Sequence, residues 1–293
     1  MYVAVRDGCL RGAAFPTLRA GMDAVGLDAV ELAIDRQMQV VSVDDGWDTH
    51  VALTSDAALA AYRRELDAAG LRASELLLFN DFSSPDLADE VAWVVRCAGA
   101  AAALGARAMR IEAAMNAHQE SWDETRCRAV FTDCMKRVLD ATDDLPVVYG
   151  IENHGVQGNR YEFLSTIIDG VGSPRFGVTL DTANLYWSGM SLSEVHQVIG
   201  QLAPVTRHTH VKNINYPADQ REVRRQIGWC YGEYCCALPD GDIDIPLVIE
   251  QLRSAGYDGS LCIENESLGR YPETERQAML HREAAYLKGC LQG

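Results

Sequence analysis

Short runs of hydrophobic residues alternate with amphipathic segments along the whole chain of 293 residues. The hydrophobic runs predict eight strands, at 2–6, 29–34, 74–79, 108–112, 147–152, 176–181, 205–211 and 260–264. The intervening segments have helical spacing and predict helices near 15–26, 55–70, 86–104, 122–140, 160–170, 191–201, 243–256 and 272–289. Strands that alternate with helices are typical of right-handed βαβ units and a parallel sheet. Eight such units in a chain of this length favour a (β/α)8 TIM barrel over an open doubly wound sheet.

Two connections are too long for simple loops between a strand and a helix, residues 35–54 and residues 213–241. The second contains Trp229, Tyr231 and Tyr234, a composition too aromatic for a disordered segment. No linker or low-complexity segment divides the chain. We therefore expect a single domain over residues 1–293, with an ordered lid inserted between strands 7 and 8.

The charge balance argues against several classes of protein. The chain has 26 Lys and Arg residues against 42 Asp and Glu residues, a formal net charge of −16. A nucleic-acid binder needs a basic surface, and so does a protein that adsorbs to anionic lipid. No apolar run reaches the ~18 residues that span a bilayer, and the residues after Met1 do not resemble a signal peptide. We therefore expect neither a nucleic-acid partner nor a membrane partner.

The nine cysteines are an odd number, and several lie within predicted strands or helices. This usage is typical of free thiols in a reducing compartment rather than of a disulfide framework. Cys230, Cys235 and Cys236 have no partnering Cys or His pair, so we interpret them as packed or free thiols rather than as a zinc site. The sequence thus predicts a cytoplasmic protein and leaves its oligomeric state open, a homo-oligomer included.

Four consecutive predicted strands each end in a side chain that can bind a metal ion. These residues are Glu152, Asp181, His210 and Glu264. The first three are 29 residues apart, one βα repeat, and the last follows after 54 residues, one repeat plus the long insertion. A single acid at a strand end is more often a helix cap, but four in succession favour a metal site. Three carboxylates and one imidazole suit Mn²⁺ or Mg²⁺ well, and they also accept Co²⁺ or Fe²⁺.

Two histidines of strand 7 lie on the same face, because His208 and His210 are separated by the period of a strand. Only one of them is needed as a metal ligand, and the other is then a packed histidine or a neighbour of the ligands. The residue pattern by itself does not choose between them.

Four short motifs lie at these strand ends: Ile-Glu-Asn-His at 151–154, Leu-Asp-Thr-Ala-Asn at 180–184, His-Val-Lys-Asn at 210–213 and Ile-Glu at 263–264. In this order and spacing they resemble the motifs of the xylose-isomerase-like barrel superfamily of sugar phosphate isomerases and epimerases. The usual strand-7 signature of the family, His-x-Lys-Asp, selects His210 as the ligand. Asn213 stands where the family has Asp, which puts the role of that acid in doubt.

The resemblance implies one divalent ion, for which we expect Mn²⁺ ahead of Mg²⁺ or Co²⁺, held by Glu152, Asp181, His210 and Glu264. It also implies that Glu152 and Glu264 form the acid–base pair of a ketose, keto-sugar or keto-cyclitol isomerase or epimerase that works through an enediolate. Strands 5 and 8 lie three apart in a ring of eight, so these two carboxylates face each other across the metal. A proton returned to the opposite face of a carbon inverts that centre, and one returned to the neighbouring carbon isomerises the sugar.

Other polar and aromatic residues of the same strand ends are candidate substrate contacts: His154, Asn184, Trp187, Lys212 and Glu112. Trp187 is equally well interpreted as a platform for a sugar ring and as a plug between its loop and the next helix. Lys212 either binds a substrate oxygen or pairs with a neighbouring carboxylate. Arg221, Arg224 and Arg225 suggest a phosphate clamp, but the interleaved acid favours a solvated helix face.

Two other functions remain open. A lyase, either a dehydratase or a 3-keto-glycoside eliminase, begins with the same proton abstraction and then expels a leaving group. A non-catalytic sugar-binding protein does not need the complete acidic ring. The AP endonuclease branch of the superfamily, which resembles a trinuclear zinc enzyme, is disfavoured because Asn184 stands where that branch has His.

Overall fold

The computed structural model describes residues 1–292, and within them the side chain of every residue except Gln119. Eight parallel strands form a closed barrel: β1 (Tyr2–Arg6), β2 (Ala29–Ala33), β3 (Arg72–Leu77), β4 (Ala108–Ile111), β5 (Val148–Glu152), β6 (Phe176–Asp181), β7 (Thr206–Val211) and β8 (Ser260–Ile263). Each strand pairs with its neighbours in sequence, and β1 pairs with β8. The prediction of a (β/α)8 TIM barrel is confirmed.

The helices that separate these strands cover the barrel from outside. Those of eight residues or more span Leu18–Val25, Asp56–Ala68, Leu87–Leu104, Glu124–Ala141, Tyr161–Val171, Leu192–Leu202, Ile245–Ser254 and Glu273–Gln292. Shorter helical turns span Asp7–Gly12, Asn116–Glu120, Gly155–Gly158, Asn184–Trp187, Ala203–Val205, Ala218–Gln220, Tyr231–Tyr234, Leu238–Asp240 and Leu268–Arg270. Among residues 1–292, the helices are either too short or too polar to cross a bilayer.

Polar side chains fix where many of these helices begin. The residue before the first turn accepts a hydrogen bond from a backbone N–H of that turn, which satisfies a donor that has no partner within the helix. This arrangement is present at Thr17, Ser55, Asp86, Asp123, Ser191 and Asp244. The strand ends therefore connect to helices whose starting points are set by the sequence.

Both long connections contain small antiparallel hairpins. Gln39–Val41 pairs with His50–Ala52, and Asn213–Ile214 pairs with Cys235–Cys236. Asn213 closes the base of the second hairpin, since its side-chain amide donates to the carbonyls of Leu238 and Ile243, each at 3.0 Å. The segment 213–241 therefore contains defined secondary structure, while an ordered lid stays a prediction.

An aromatic cluster fills the segment 213–241. The rings of Tyr216, Trp229 and Tyr234 lie with their centroids 5.6–5.7 Å apart. The guanidinium of Arg225 lies over Tyr216 at 4.4 Å and over Tyr186 at 4.5 Å. The expectation of a solvated helix face was wrong: residues 221–225 form no helix, and the Arg225 guanidinium is stacked between two rings.

The interior of the barrel is unusually polar. Hydrophobic side chains fill the space between strands and helices, but the barrel axis carries buried charged and polar groups, among them Glu31, Glu75, Arg110, His208 and Ser260. The interior of such barrels is ordinarily filled with layers of branched apolar side chains. Buried charges require partners, so the contacts of these residues determine how the site is held.

Candidate metal centre and active site

The four residues predicted as metal ligands come together at the carboxyl ends of the strands. Glu152 and Asp181 are the last residues of β5 and β6, His210 lies near the end of β7, and Glu264 follows β8. All four are buried, and one potential ligand atom of each lies within 4.8 Å of the others. His210 Nδ1 is 3.0 Å from Glu152 Oε1 and 3.3 Å from Glu264 Oε2.

Asp181 is held by the backbone that follows it. Its Oδ1 accepts hydrogen bonds from the amides of Ala183 and Asn184, each at 2.8 Å. Its buried Oδ2 accepts no hydrogen bond of normal geometry, although the ammonium of Lys212 lies 2.9 Å away. Burial raises the pKa of Asp181 to about 7, against the opposing charge of Lys212. An aspartate oxygen without a proper hydrogen-bond donor is what a metal ligand presents.

Lys212 is an internal counter-charge for the cluster. Its Nζ lies 3.1 Å from Glu264 Oε2 and 2.8 Å from Glu266 Oε1, in addition to its contact with Asp181. Burial would lower the pKa of Lys212, but the surrounding carboxylates raise it well above its usual value. Of the two roles considered for Lys212, the structure displays the pairing with carboxylates. Tyr231 of the segment 213–241 donates to Glu266 as well, which ties that segment to the mouth of the barrel.

Arg110 is a buried partner of Glu152 that the sequence analysis missed. Its Nε donates to Glu152 Oε2 at 2.5 Å, its Nη2 to Glu112 Oε2 at 2.8 Å and its Nη1 to the carbonyl of Leu78 at 2.7 Å. Burial would raise the pKa of Glu152, but the charges of Arg110 and His210 hold it well below its usual range. The only sequence signal was an arginine within an otherwise apolar strand.

Glu112 and His154 form a pair beside this arginine. His154 Nδ1 lies 2.9 Å from Glu112 Oε1, and the His154 side chain is exposed at the mouth of the barrel. The hydrogen bond with Glu112 raises the pKa of His154, against the effect of burial. Burial would raise the pKa of Glu112, but the charge of Arg110 outweighs it and lowers that pKa. His154 therefore lies beside the cluster as an imidazole that its carboxylate partner makes easier to protonate.

Two further predicted residues lie on the short helix after β6. Asn184 is buried with its Nδ2 3.5 Å from Glu152 Oε1, so its amide is adjacent to the cluster. Trp187 is half-buried and lies against Gly228, where a Cβ atom would come within 3.2 Å of the indole nitrogen. This contact shows that Trp187 supports the segment 213–241. Its role as a sugar platform stays a prediction.

Arg6 and Glu31 are also part of the site, and sequence reasoning assigned no role to either. Arg6, the last residue of β1, forms an ion pair with Glu264, and its buried Nε has no hydrogen-bond partner. Burial would raise the pKa of Glu264, but His210 and Lys212 hold it well below its usual range. Glu31 of β2 contacts the imidazole of His210 from the side opposite to Glu152.

The donor set fits a divalent cation. Three carboxylates and an imidazole converge on one buried point, and hard oxygen ligands with a single nitrogen suit the ions expected from the sequence. Like charges at such separation repel one another, and the surrounding cations Arg6, Arg110 and Lys212 offset that repulsion. The described residues can therefore bind a metal ion here.

The fold and the cluster define a TIM-barrel protein with a candidate metal centre at the carboxyl ends of its strands. The chain belongs to the xylose isomerase-like TIM barrel family, whose model matches residues 22–290. In sequence it is 25% identical over 138 residues to an uncharacterized protein of Methanocaldococcus jannaschii. That match covers 46% of this chain and 42% of the relative, so it spans less than half of the relative's length.

Several solved structures share the fold over almost the whole chain. A D-psicose 3-epimerase solved in the presence of D-fructose has a TM-score of 0.69 and 16% identity, and the alignment covers 100% of each chain. The IOLI protein with a bound zinc atom has a TM-score of 0.70 and 13% identity, over 97% of this chain and 96% of that one. The probable 3-DHS dehydratase AsbF from Bacillus anthracis has a TM-score of 0.68 and 14% identity, and the alignment covers 98% of this chain and 99% of that one.

Proposed function

We propose that the protein is a divalent-metal-dependent isomerase or epimerase of a ketose, keto-sugar or keto-cyclitol. The observation that carries this proposal is the position of Glu152 and Glu264, whose oxygens lie 3.0 and 3.3 Å from the same nitrogen of His210. Two carboxylates on either side of one metal position are what a proton transfer between two faces of a carbon requires. The shared fold with a D-psicose 3-epimerase supports the same reaction class.

The two glutamates act as the acid–base pair. Both are held ionised by neighbouring cations, Glu152 by Arg110 and Glu264 by His210 and Lys212, so either can accept a proton. One carboxylate removes the proton from the carbon next to the substrate carbonyl, and the other first takes up a proton from water and then delivers it to the opposite face of that carbon. If the proton is instead delivered to the adjacent carbon, the same first step leads to an isomerisation.

The cluster of Glu152, Asp181, His210 and Glu264 would hold the cation. A divalent cation supplies Lewis acidity that polarises a carbonyl and stabilises the negative charge of an enediolate. We expect Mn²⁺, with Mg²⁺ and Co²⁺ as alternatives, and the zinc atom bound to the IOLI protein, which shares this fold, supports a divalent ion.

Substrate hydroxyls would meet donors around the cluster. His154 offers an imidazole that Glu112 orients, and Asn184 offers an amide next to Glu152. Lys212 faces the oxygen of Glu264 and can reach a substrate oxygen in its place. Trp187, at the side of the segment 213–241, is the candidate platform for the apolar face of a sugar ring, and this segment would close over the bound substrate.

A lyase is the second candidate, and His154 is the observation that favours it. Glu112 raises the pKa of this imidazole, which, once protonated, can give its proton to a departing hydroxyl or alkoxide after the same carbon has been deprotonated. The likeness to a probable 3-DHS dehydratase also supports it. The two reactions share the first step and differ in whether a group is lost.

The test measures deuterium incorporation into a panel of ketohexoses and keto-cyclitols, with the Mn²⁺-loaded protein in D₂O. We expect deuterium at a carbon next to the carbonyl, with a new stereoisomer or aldose as the product; loss of water or of an aglycone would instead identify a lyase. Glu152→Gln and Glu264→Gln should each slow exchange by ~10²–10⁴-fold. Glu90→Gln, which removes a buried carboxylate that pairs with Arg36 outside the cluster, is the control. Exchange at the wild-type rate in either glutamate variant would refute the proposed acid–base pair.

A further inference from the structure

The imidazole of His210 has a partner on each of its two nitrogens. Nδ1 faces Glu152 and Glu264, as described above. Nε2 points the other way, into the barrel, where it lies 2.9 Å from Glu31 Oε2 and 3.1 Å from Glu31 Oε1. A neutral imidazole binds a cation through one nitrogen and carries its proton on the other. When a cation is bound at the cluster that Nδ1 faces, the imidazole is neutral and Nε2 is the nitrogen left to carry the proton toward Glu31.

Glu31 is itself fixed in place. Its Oε1 lies 2.7 Å from Nε2 of His208, and Nδ1 of His208 lies 3.2 Å from the hydroxyl of Ser260. Glu31, both histidines and Ser260 are fully buried, so solvent does not compete for these hydrogen bonds. The rings of the two histidines lie edge to face, 5.1 Å apart, and both contact Oε1 of Glu31. Neither Glu31 nor His210 can turn without leaving a buried polar atom unpaired.

We propose that Glu31 is the positioning residue of the metal centre. It accepts the Nε2–H of His210, which fixes the tautomer of the ring and presents Nδ1 to the cation. His208 is then the second anchor of Glu31 and not a metal ligand. The inference rests on the proposed function, because it requires a cation at the cluster of Glu152, Asp181, His210 and Glu264. A carboxylate behind a ligating histidine also raises the basicity of that ligand.

A second metal ion is the competing interpretation of the same residues. Glu31, His208, His210 and Cys262 also lie close enough to share an ion. Two observations favour positioning. Both imidazoles approach Glu31 at 2.7–3.1 Å, the separation of a hydrogen bond, and the thiol of Cys262 lies farther away, where it donates a weak hydrogen bond to Glu31 at 3.8 Å. The two interpretations make opposite predictions for Cys262, because its weak hydrogen bond does not orient His210.

Metal titration separates these interpretations. We expect the wild-type protein to bind one Mn²⁺ per chain, as followed by electron paramagnetic resonance. Glu31→Ala should raise the Mn²⁺ dissociation constant ~10–100-fold, the usual cost of losing such a partner. Glu31→Gln, which keeps an oxygen for His210, should recover part of that loss. Cys262→Ala, the matched control beside the same carboxylate, should bind as the wild type does.

The outcomes are distinguishable from failure of the proposed function. If the wild-type protein binds no divalent ion, the proposed function fails. If it binds one ion and Glu31→Ala binds equally well, the positioning role is refuted while the proposed function stands. Two ions per chain, with one of them lost in Cys262→Ala, would establish the second metal site and overturn the inference.

A measurement on the wild-type protein keeps the inference testable if Glu31→Ala does not fold. In the Zn²⁺-loaded protein with ¹⁵N-labelled histidine, long-range ¹H–¹⁵N correlation spectra report which ring nitrogen carries the proton. Comparison with His210→Gln identifies the signals of His210. We expect the proton on Nε2, with Nδ1 bound to zinc. A proton on Nδ1 would overturn the inference.

Discussion

Arg110 and Glu152 form an ion pair inside the barrel, with the guanidinium Nε 2.5 Å from the carboxylate oxygen. Neither side chain is more than 4% exposed, so water does not screen the two charges. Arg110 also contacts Glu112, and it thereby links the candidate metal ligand Glu152 to the pair formed by Glu112 and His154. One arginine thus sets the charge state of two carboxylates at the site.

The first prediction concerns the loss of this arginine. Arg110→Gln leaves Glu152 and Glu112 buried with fewer cations, and breaking a buried ion pair costs ~3–5 kcal/mol. We expect a decrease of that size in the free energy of unfolding, measured by urea denaturation. Arg107→Gln is the control, because Arg107 pairs with Asp258 at an exposed position of the same strand region and should change stability by less than ~1 kcal/mol. Equal effects of the two substitutions would contradict the assignment.

The second prediction concerns metal removal. A ligand that binds only the folded state raises the free energy of unfolding by about 2.7 kcal/mol when its concentration is 100 times its dissociation constant. We therefore expect a chelator to lower the melting temperature of the metal-loaded protein and Mn²⁺ to restore it. Asp181→Asn removes one carboxylate of the cluster, so Mn²⁺ should raise the melting temperature of this variant by less than it raises that of the wild type. A melting temperature indifferent to chelator and to Mn²⁺ would argue against a metal centre.

The third prediction concerns the pH dependence of stability. Burial raises the pKa of Glu283 from 4.5 to about 7, while its Oε1 accepts from the amide of Leu238 at 2.9 Å. The folded state therefore binds a proton that the unfolded state releases between these two pKa values. The contribution of Glu283 to the free energy of unfolding is fully present below about pH 4.5. It decreases by ~3 kcal/mol in total as the pH rises through the folded-state pKa of about 7.

Glu283→Gln should remove this part of the pH dependence and make the protein more stable at pH 8 than the wild type. Glu275→Gln, an exposed position of the same helix, should leave the pH profile unchanged. The measurement is the free energy of unfolding by urea at several values of pH between 4.5 and 8. A wild-type profile that is retained in Glu283→Gln would contradict the assignment.

The fourth prediction concerns the segment 213–241. Arg225 lies between two tyrosine rings and donates to the carbonyls of Met190 and Val223 at 2.6 and 2.7 Å. Arg225→Met removes these contacts, so amide hydrogen exchange within 213–241 should accelerate at least ~10-fold, equivalent to ~1.4 kcal/mol of local stability. Arg224→Met is the control, since Arg224 is exposed and pairs only with Glu194 among the described residues. Equal exchange in both variants would show that Arg225 does not anchor the segment.

The sequence predicted the barrel well because each strand is a short apolar run between two amphipathic helices. The predicted bounds of strands 1 and 6 agree with the structure at both ends, and the other six differ by one or two residues at one or both ends. The helix Asp7–Gly12 was missed because it contains two glycines, which disfavour helices. The hairpin in residues 35–54 was missed because its strands are only three residues long.

The sequence predicted less of the site. Spacing along the chain indicated Glu152, Asp181, His210 and Glu264, because one repeat of the fold brings each residue to the same height. It did not indicate Arg110 or Glu31, whose importance comes from contacts across the interior. Glu31 meets a histidine 179 positions away, and nothing in a local pattern specifies such a pair. The role of Arg225 was misjudged for the same reason, since the two rings that hold it lie on different segments.

Lys212 has a consequence for how the protein matures. Its ammonium already compensates Asp181 and Glu264, so the acidic ring does not depend on an incoming ion to be tolerated inside the protein. The protein can thus fold without a bound ion, in contrast to small zinc domains that are unfolded without theirs. If the proposed metal site is correct, a divalent ion would enter a preformed receptor in a protein that is already folded.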